Sequence, residues 1–125
     1  MRVIVCGGRD FKDKEMLYRV MDTLHREYPI VVLFEGGARG ADRYAAQWAA
    51  ENGIEVQRVR AKWERYGLAA GARRNQHMLW TADPHRVIAF PGGAGTEDMV
   101  QRAIKDGYPV IRVKEDGIYD NEPFV

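Results

Sequence analysis

The sequence has one cysteine, no long apolar run and nearly equal numbers of basic and acidic residues. Cys6 is the only cysteine among the 125 residues, so no disulfide can form within the chain, as is typical of a reducing compartment. No apolar run approaches the ~20 residues that a membrane-spanning helix needs. The sequence begins on a strand-like segment and shows no signal peptide. We therefore expect a cytoplasmic protein with no membrane partner.

The charge balance and the absence of several motifs argue against further classes of function. Nineteen Lys and Arg are balanced by 18 Asp and Glu, and a net charge of +1 makes nucleic acid an unexpected partner. No Gly-Lys-Ser or Gly-Lys-Thr of a P-loop occurs, and the first glycine pair does not open a Gly-x-Gly-x-x-Gly dinucleotide fingerprint. No set of His, Cys or carboxylates has metal-ligand spacing, so we expect neither a metal nor a cofactor.

Basic residues nevertheless concentrate between positions 58 and 74, where Glu64 is the only acidic residue. They are Arg58, Arg60, Lys62, Arg65, Arg73 and Arg74. A solvated surface explains such a run as well as a binding function does. Trp63, within the run, is suited either to stacking on a base or to anchoring its own loop.

Apolar runs with strand character alternate along the chain with segments of helical periodicity. Strands are predicted at 3–6, 30–34, 54–59, 86–90 and 109–113, and helices at 13–28, 41–51, 72–80 and after 96. This alternation predicts an α/β fold, a single Rossmann-like three-layer sandwich with a five-stranded, mostly parallel sheet in the order 3-2-1-4-5. We expect the domain to span 1–114, residues 60–71 to form a structured loop, and 115–125 to form a tail.

Three glycine-rich segments each follow a predicted strand. They are Gly7-Gly8, Gly36-Gly37 with Gly40, and Gly92-Gly93 with Gly95. In the predicted strand order, the carboxyl ends of these strands are neighbours, so the three loops converge on one crevice. The segment Phe90 to Thr96 also leads from a strand into a helix, and the free backbone N–H groups of a helix N-terminus favour phosphate.

The predicted ligand-binding residues lie in these loops and around the helix at 72–80. They are Gly7, Gly8, Arg9, Gly36, Gly37, Gly40, Asp42, Trp63, Arg73, Arg74, Asn75, Gly92, Gly93, Gly95 and Thr96. Arg9 and Arg74 are expected to neutralise phosphate. Asp42 and Thr96 are expected to cap their helices, with ligand contact as an additional or alternative role.

Five motifs along the chain carry a resemblance to a known family. They are Val5 to Phe11, Glu35 to Asp42, Ala61 to Trp63, Ala70 to Asn75 with Met78, and Phe90 to Thr96. The chain resembles the YspA-related branch of the SLOG superfamily, whose Rossmann-like members include the LOG phosphoribohydrolases and DprA/Smf. The resemblance implies a sensor or processing module that binds a nucleotide or a nucleotide-derived, ADP-ribose-like ligand. It also implies homo-oligomerisation, for which the helix around Met78-Leu79-Trp80 is a candidate surface.

Two alternatives follow from the same resemblance. LOG enzymes release the base from nucleoside 5′-monophosphates, and their catalytic arginine corresponds to Arg74. Their catalytic glutamate corresponds to Met99, which can neither stabilise an oxocarbenium ion nor activate water. Asp98 is the nearest substitute, and Asp10 or Glu35 would have to approach from adjacent loops. The second alternative is DprA-like binding of single-stranded nucleic acid through the basic run and Trp63.

Overall fold

The apolar runs of the sequence form a parallel sheet in the computed structural model, which describes residues 1–119. Within those residues the strands are β1 (Arg2–Cys6), β2 (Val32–Glu35), β3 (Glu55–Arg58), β4 (Arg86–Ala89) and β5 (Val110–Arg112). They pair in the order β3-β2-β1-β4-β5, and every pair of neighbours is parallel. The predicted fold class and strand order are confirmed.

Helices connect the strands, with one addition to the prediction. They are α1 (Lys14–Glu27), α2 (Ala41–Glu51), α3 (Trp63–Tyr66), α4 (Ala70–Ala82) and α5 (Ala94–Lys105). The segment predicted as a structured loop holds the single turn of α3 and a 3₁₀ turn at Gly67–Ala69. None of the residues in these two turns is buried, so the segment carries no apolar stripe from which its helical character could be read.

Alternating side chains of the central strands create the two cores of the sandwich. Val3 and Val5 of β1 face one cluster with α1 and α2, whereas Ile4 faces the other cluster with α4 and α5. Trp48 of α2 is fully buried in the first cluster, and its indole N–H donates a hydrogen bond to Asp22 at 2.8 Å. The helices therefore cover both faces and leave the carboxyl edge of the sheet open for a site.

The end of the described chain folds back beside β5. Val113 and Tyr119 form an antiparallel bridge, and the Lys114 N–H donates to the Ile118 carbonyl at 3.0 Å. The remainder of the predicted tail, residues 120–125, lies outside the described residues. Among residues 1–119, no helix is both long and apolar enough to span a bilayer.

The predicted oligomer surface, Met78-Leu79-Trp80 of α4, is partly buried and partly exposed. Met78 and Leu79 are buried in the second cluster, while 69% of Trp80 is exposed. Trp80 is the part of Met78-Leu79-Trp80 that remains accessible to another copy of the chain, and homo-oligomerisation stays a prediction.

The burial of β2 gives a test of the packing. Replacing Leu33, which is fully buried, with alanine is expected to lower the free energy of unfolding by about 2–5 kcal/mol, because it leaves a cavity. Val31→Ala, at a position 62% exposed, is the matched control and should change it by less than about 0.5 kcal/mol. Urea unfolding of the two variants measures both values, and equal losses would contradict the packing.

Candidate functional site: a cleft between glycine loops

The three glycine loops meet at the carboxyl edge of the sheet, as predicted. The Gly8 N–H donates to the Pro91 carbonyl at 2.9 Å, and the Gly8 carbonyl accepts from the Ala41 N–H at 3.2 Å. The loop after β1 is therefore bonded to both of the others. A cleft of about 900 Å³ opens beside them.

Most of the predicted ligand-binding residues line this cleft. They are Gly7, Arg9, Gly36, Gly37, Asp42, Trp63, Arg74, Asn75, Gly93, Gly95 and Thr96. Gly8, Gly40 and Gly92 are not in its lining, and a side chain at Gly40 would collide with the carbonyls of the loop after β1. Gly40 also has a φ of +78°, which favours glycine. Its role is to allow two loops to touch.

Arg73 is the predicted site residue that points elsewhere. It is exposed, lies outside the cleft lining, and places its guanidinium 4.4 Å from the centre of the Tyr66 ring. This cation–π contact joins α4 to α3. The predicted basic pair at the start of α4 is thus divided, with only Arg74 in the cleft.

The first turn of α5 is open. The helix begins at Ala94 after the N-cap residue Gly93, and no side chain caps it. Thr96 is therefore the third residue of the helix, and its predicted role as the cap is wrong. The Gly93 backbone, with φ −103° and ψ −145°, lies outside the helical region as an N-cap residue does, so the helix begins at the next residue, Ala94. The N–H groups of this turn have no intrahelical acceptor and are left to water or a ligand.

The N-terminus of α2 differs, because its Ala41 N–H donates to the Gly8 carbonyl and a carboxylate lies in its first turn. Gly40 is the N-cap residue, and Asp42 is the second helical residue, so the predicted capping role of Asp42 is wrong. Its Oδ2 instead accepts the N–H groups of Gly36 and Ala38, each at 3.2 Å, and holds the loop after β2. Burial raises the pKa of Asp42 to about 6. The carboxylate is 6% exposed at the base of the cleft.

Arg74 crosses from α4 to the ends of β2 and β3. Its Nη1 donates to the carbonyls of Gly36 at 3.1 Å and Val59 at 3.3 Å. Its Nε donates to Asn75 Oδ1 at 3.0 Å. Nε and Nη1 thus donate hydrogen bonds within the protein, whereas Nη2 has no protein acceptor within residues 1–119.

Asn75 continues this network to α5. Its Nδ2 donates to the Gly95 carbonyl at 3.2 Å and to Asp98 Oδ2 at 2.9 Å. The side chain is 4% exposed, so its hydrogen bonds form away from bulk water, where an unpaired amide is costly. Asn75 therefore positions the open turn of α5 as well as lining the cleft.

Glu97, Asp98 and Met99 of α5 differ in their surroundings. Met99 is 1% exposed and packs in the second core cluster directly below the cleft. Asp98 lines the cleft, and its Oδ2 accepts from Arg102 Nε at 2.9 Å. Glu97 lies outside the cleft lining, where its hydrogen bonds with Arg112 lower the pKa of the carboxyl to about 2. Asp98 is the acidic residue of α5 that reaches the cleft.

The two carboxylates expected from adjacent loops do not line the cleft. Glu35 is fully buried and accepts from Arg58 Nε at 2.8 Å and from the Gly37 N–H at 2.8 Å. Asp10 is exposed and pairs with Arg39 at 3.2 Å. Neither is placed to act as the missing acid.

Sequence reasoning missed several residues of the cleft wall. They include Cys6, Arg39, Arg43 and Arg60. Burial raises the pKa of the Cys6 thiol to about 12, so it stays neutral at physiological pH. Arg39 and Arg60 carried a signal, because each follows a predicted strand by a few residues and Arg60 belongs to the basic run, whereas Arg43 lies within a predicted helix and carried none.

The cleft wall concentrates positive charge that the whole chain does not show. Five arginines line it, against the two carboxylates of Asp42 and Asp98, whereas the full sequence has a net charge of only +1. The arginines are Arg9, Arg39, Arg43, Arg60 and Arg74. The arrangement is suited to an anionic ligand of about the size that small-molecule sites accept, roughly 300–1,000 Å³.

The doubly covered parallel sheet and the cleft at its carboxyl edge define a Rossmann-like protein whose cleft is lined by glycines and arginines. The family described as the YspA, cpYpsA-related SLOG family matches residues 1–66. The chain belongs to this family. Gene 61 protein of Mycobacterium phage D29 is 39% identical over 118 residues, which cover 88% of this chain and 94% of that protein.

Solved structures share the fold at low sequence identity. DNA processing protein A (DprA) from Streptococcus pneumoniae matches 89% of this chain with a TM-score of 0.69 and 19% identity. The chain spans about half of DprA, 49% of its length. TM1055 matches 88% of this chain and 72% of its own, with a TM-score of 0.67 and 20% identity. These likenesses concern the fold.

The environment of Asp42 predicts a pH dependence of stability. Its pKa is about 6 in the folded protein and about 3.9 in an unfolded chain. Between these values the folded protein holds a proton that the unfolded chain releases, so the free energy of unfolding falls as pH rises from 4 to 6. The shift corresponds to about 3 kcal/mol, and Asp42→Asn should lack this component. Urea unfolding of both proteins at pH 4 and pH 7 measures it; parallel pH dependences would contradict the assignment.

Proposed function

We propose that the cleft binds a nucleotide or a nucleotide-derived, ADP-ribose-like ligand, with a phosphate on the first turn of α5. The observation that carries the proposal is the uncapped N-terminus of this helix inside a cleft lined by five arginines. Helix N-termini and guanidinium groups both favour phosphate oxygens. Two helices begin directly after a glycine loop at the cleft. In α2 the Ala41 N–H already donates to the Gly8 carbonyl, and the Asp42 carboxylate lies in the first turn, which favours α5 as the end that takes the phosphate.

The rest of the cleft suits a nucleoside. Trp63 is 50% exposed in the wall, near Leu68 and Gly71, and offers an indole face on which a base can stack. Asp42 uses Oδ2 for two loop amides, and its other oxygen is free of protein donors within residues 1–119, so it can accept a ribose hydroxyl. Membership of the SLOG family supports the same class of ligand.

Gly93 allows a direct test of the phosphate position. A Cβ at this residue meets nothing within 4 Å, and aspartate is a favoured N-cap residue, so Gly93→Asp should preserve α5. Its carboxylate would occupy the place of the phosphate. We expect at least tenfold weaker binding of AMP, measured by calorimetry at low ionic strength.

Gly93→Asn is the matched control, because it has nearly the same size and also caps a helix but carries no charge. It should lose clearly less affinity than Gly93→Asp. Adenosine, which lacks the phosphate, should bind weakly to all three proteins. AMP binding that is equally strong in wild type and Gly93→Asp would show that the phosphate does not lie on α5.

A glycosidase remains the second candidate, because Asp98 and Arg74 both line the cleft. Asp98 Oδ2 is bound by Asn75 and Arg102, which hold the carboxylate toward α4 and its own helix, and Met99 supplies no carboxylate. We therefore expect no release of adenine when the protein is incubated with AMP and the products are separated by chromatography. Release by wild type that is lost in Asp98→Asn would contradict this and identify the protein as an enzyme.

A further inference from the structure

A second group of cations lies at the opposite end of the cleft from α5. Arg60 follows β3, while Arg39 and Arg43 follow β2, at the start of α2. All three line the cleft. The open turn of α5 follows β4, on the other side of β1.

The strand order sets the separation between the two positions. Adjacent strands lie about 4.8 Å apart, so the ends of β2 and β3 are about 10–14 Å from the end of β4. The main-chain N–H groups of α5 cannot move toward β3 without unwinding the helix. A phosphate bound to them therefore leaves the far arginines without an anion.

These arginines are also poorly neutralised by the protein. Arg43 and Arg60 have no hydrogen-bond or carboxylate partner within residues 1–119. Arg39 pairs with Asp10, but the two side chains are 71% and 89% exposed, and such pairs contribute little. Arg58 provides the contrast, since it is held by the buried Glu35 and lies outside the cleft lining.

We infer that Arg39, Arg43 and Arg60 form a second anion subsite, and that the ligand is a nucleotide with two separated phosphates. The inference rests on the proposed function, because the first phosphate is the one on α5. A cleft of about 900 Å³ lies near the upper end of the usual range, about 300–1,000 Å³, and has room for such a ligand. A short 5′-phosphorylated dinucleotide has this chemistry.

Three probes separate the number of phosphates from their spacing. AMP has one phosphate, ADP has two adjacent phosphates, and 5′-phosphorylated diadenylate (pApA) has two on successive nucleotides. Calorimetry with wild type should give a dissociation constant for pApA at least tenfold below those for AMP and ADP. In the double variant Arg43→Ala/Arg60→Ala this advantage of pApA should shrink to about twofold or less.

A matched control removes the same charge elsewhere. Arg19 and Arg26 lie exposed on α1, outside the cleft. The double variant Arg19→Ala/Arg26→Ala should keep the wild-type preference for pApA, which separates a local subsite from the general field of the protein. Near-ultraviolet circular dichroism checks that both double variants are folded.

Several outcomes would overturn the subsite. If ADP binds as tightly as pApA, the number of phosphates matters and their separation does not. If Arg43→Ala/Arg60→Ala weakens all three probes equally, the arginines supply only a general field. If affinity rises a further tenfold from pApA to a ten-nucleotide strand, the cleft belongs to a nucleic-acid-binding surface. If wild type binds none of the probes, the proposed function fails together with the subsite.

Discussion

The side chain of Asn75 is the contact on which the geometry of the cleft depends. Its carbonyl oxygen accepts from Arg74, which in turn holds the carbonyl of Gly36 in the loop after β2. Its amide nitrogen donates to the Gly95 carbonyl and to Asp98 in the first turns of α5. One buried amide thus connects the loop at one side of the cleft to the helix at the other. Because it has partners on both sides, neither wall can shift without leaving a buried polar group unpaired.

The two helices that follow glycine loops at the cleft, α2 and α5, show how similar local sequences acquire different surroundings. Each starts after a strand and a glycine-rich loop, and in each the N-cap residue is glycine without a side-chain cap. The first turn of α2 contains Asp42. Its carboxylate lies beside the helix N-terminus and accepts two N–H groups of the preceding loop. The corresponding residue of α5 is Gly95, which brings no charge. The chain therefore places its own carboxylate beside the start of α2, whereas the start of α5 is the position proposed for the phosphate.

Much of the fold and part of the cleft follow from the sequence, and the limit has a physical reason. The strands and helices were predicted because apolar periodicity depends on local chemistry, and the strand order and the meeting of the three loops followed from the rules for parallel α/β sheets. The hydrogen-bond partners of Asp42 and Arg74 were not predicted. A carboxylate beside a helix start can cap that helix or bond to an earlier loop, and tertiary packing decides between the two. Arg43 was not predicted and Arg60 was noted only as part of the basic run, because arginines in exposed segments look alike until the sheet brings some of them to a common cleft. The turn at Trp63–Tyr66 was not predicted, because none of its residues is buried and no apolar pattern marks it.

Amide chemical shifts report directly whether a phosphate lies on the first turn of α5, as the proposed function requires. Nuclear magnetic resonance of the ¹⁵N-labelled protein, titrated with AMP and separately with adenosine, would follow the N–H groups of Ala94, Gly95 and Thr96. We expect AMP to shift these three amides among the most strongly in the protein and adenosine to leave them nearly unchanged. Saturable AMP binding that leaves these amides in place and shifts others would contradict it.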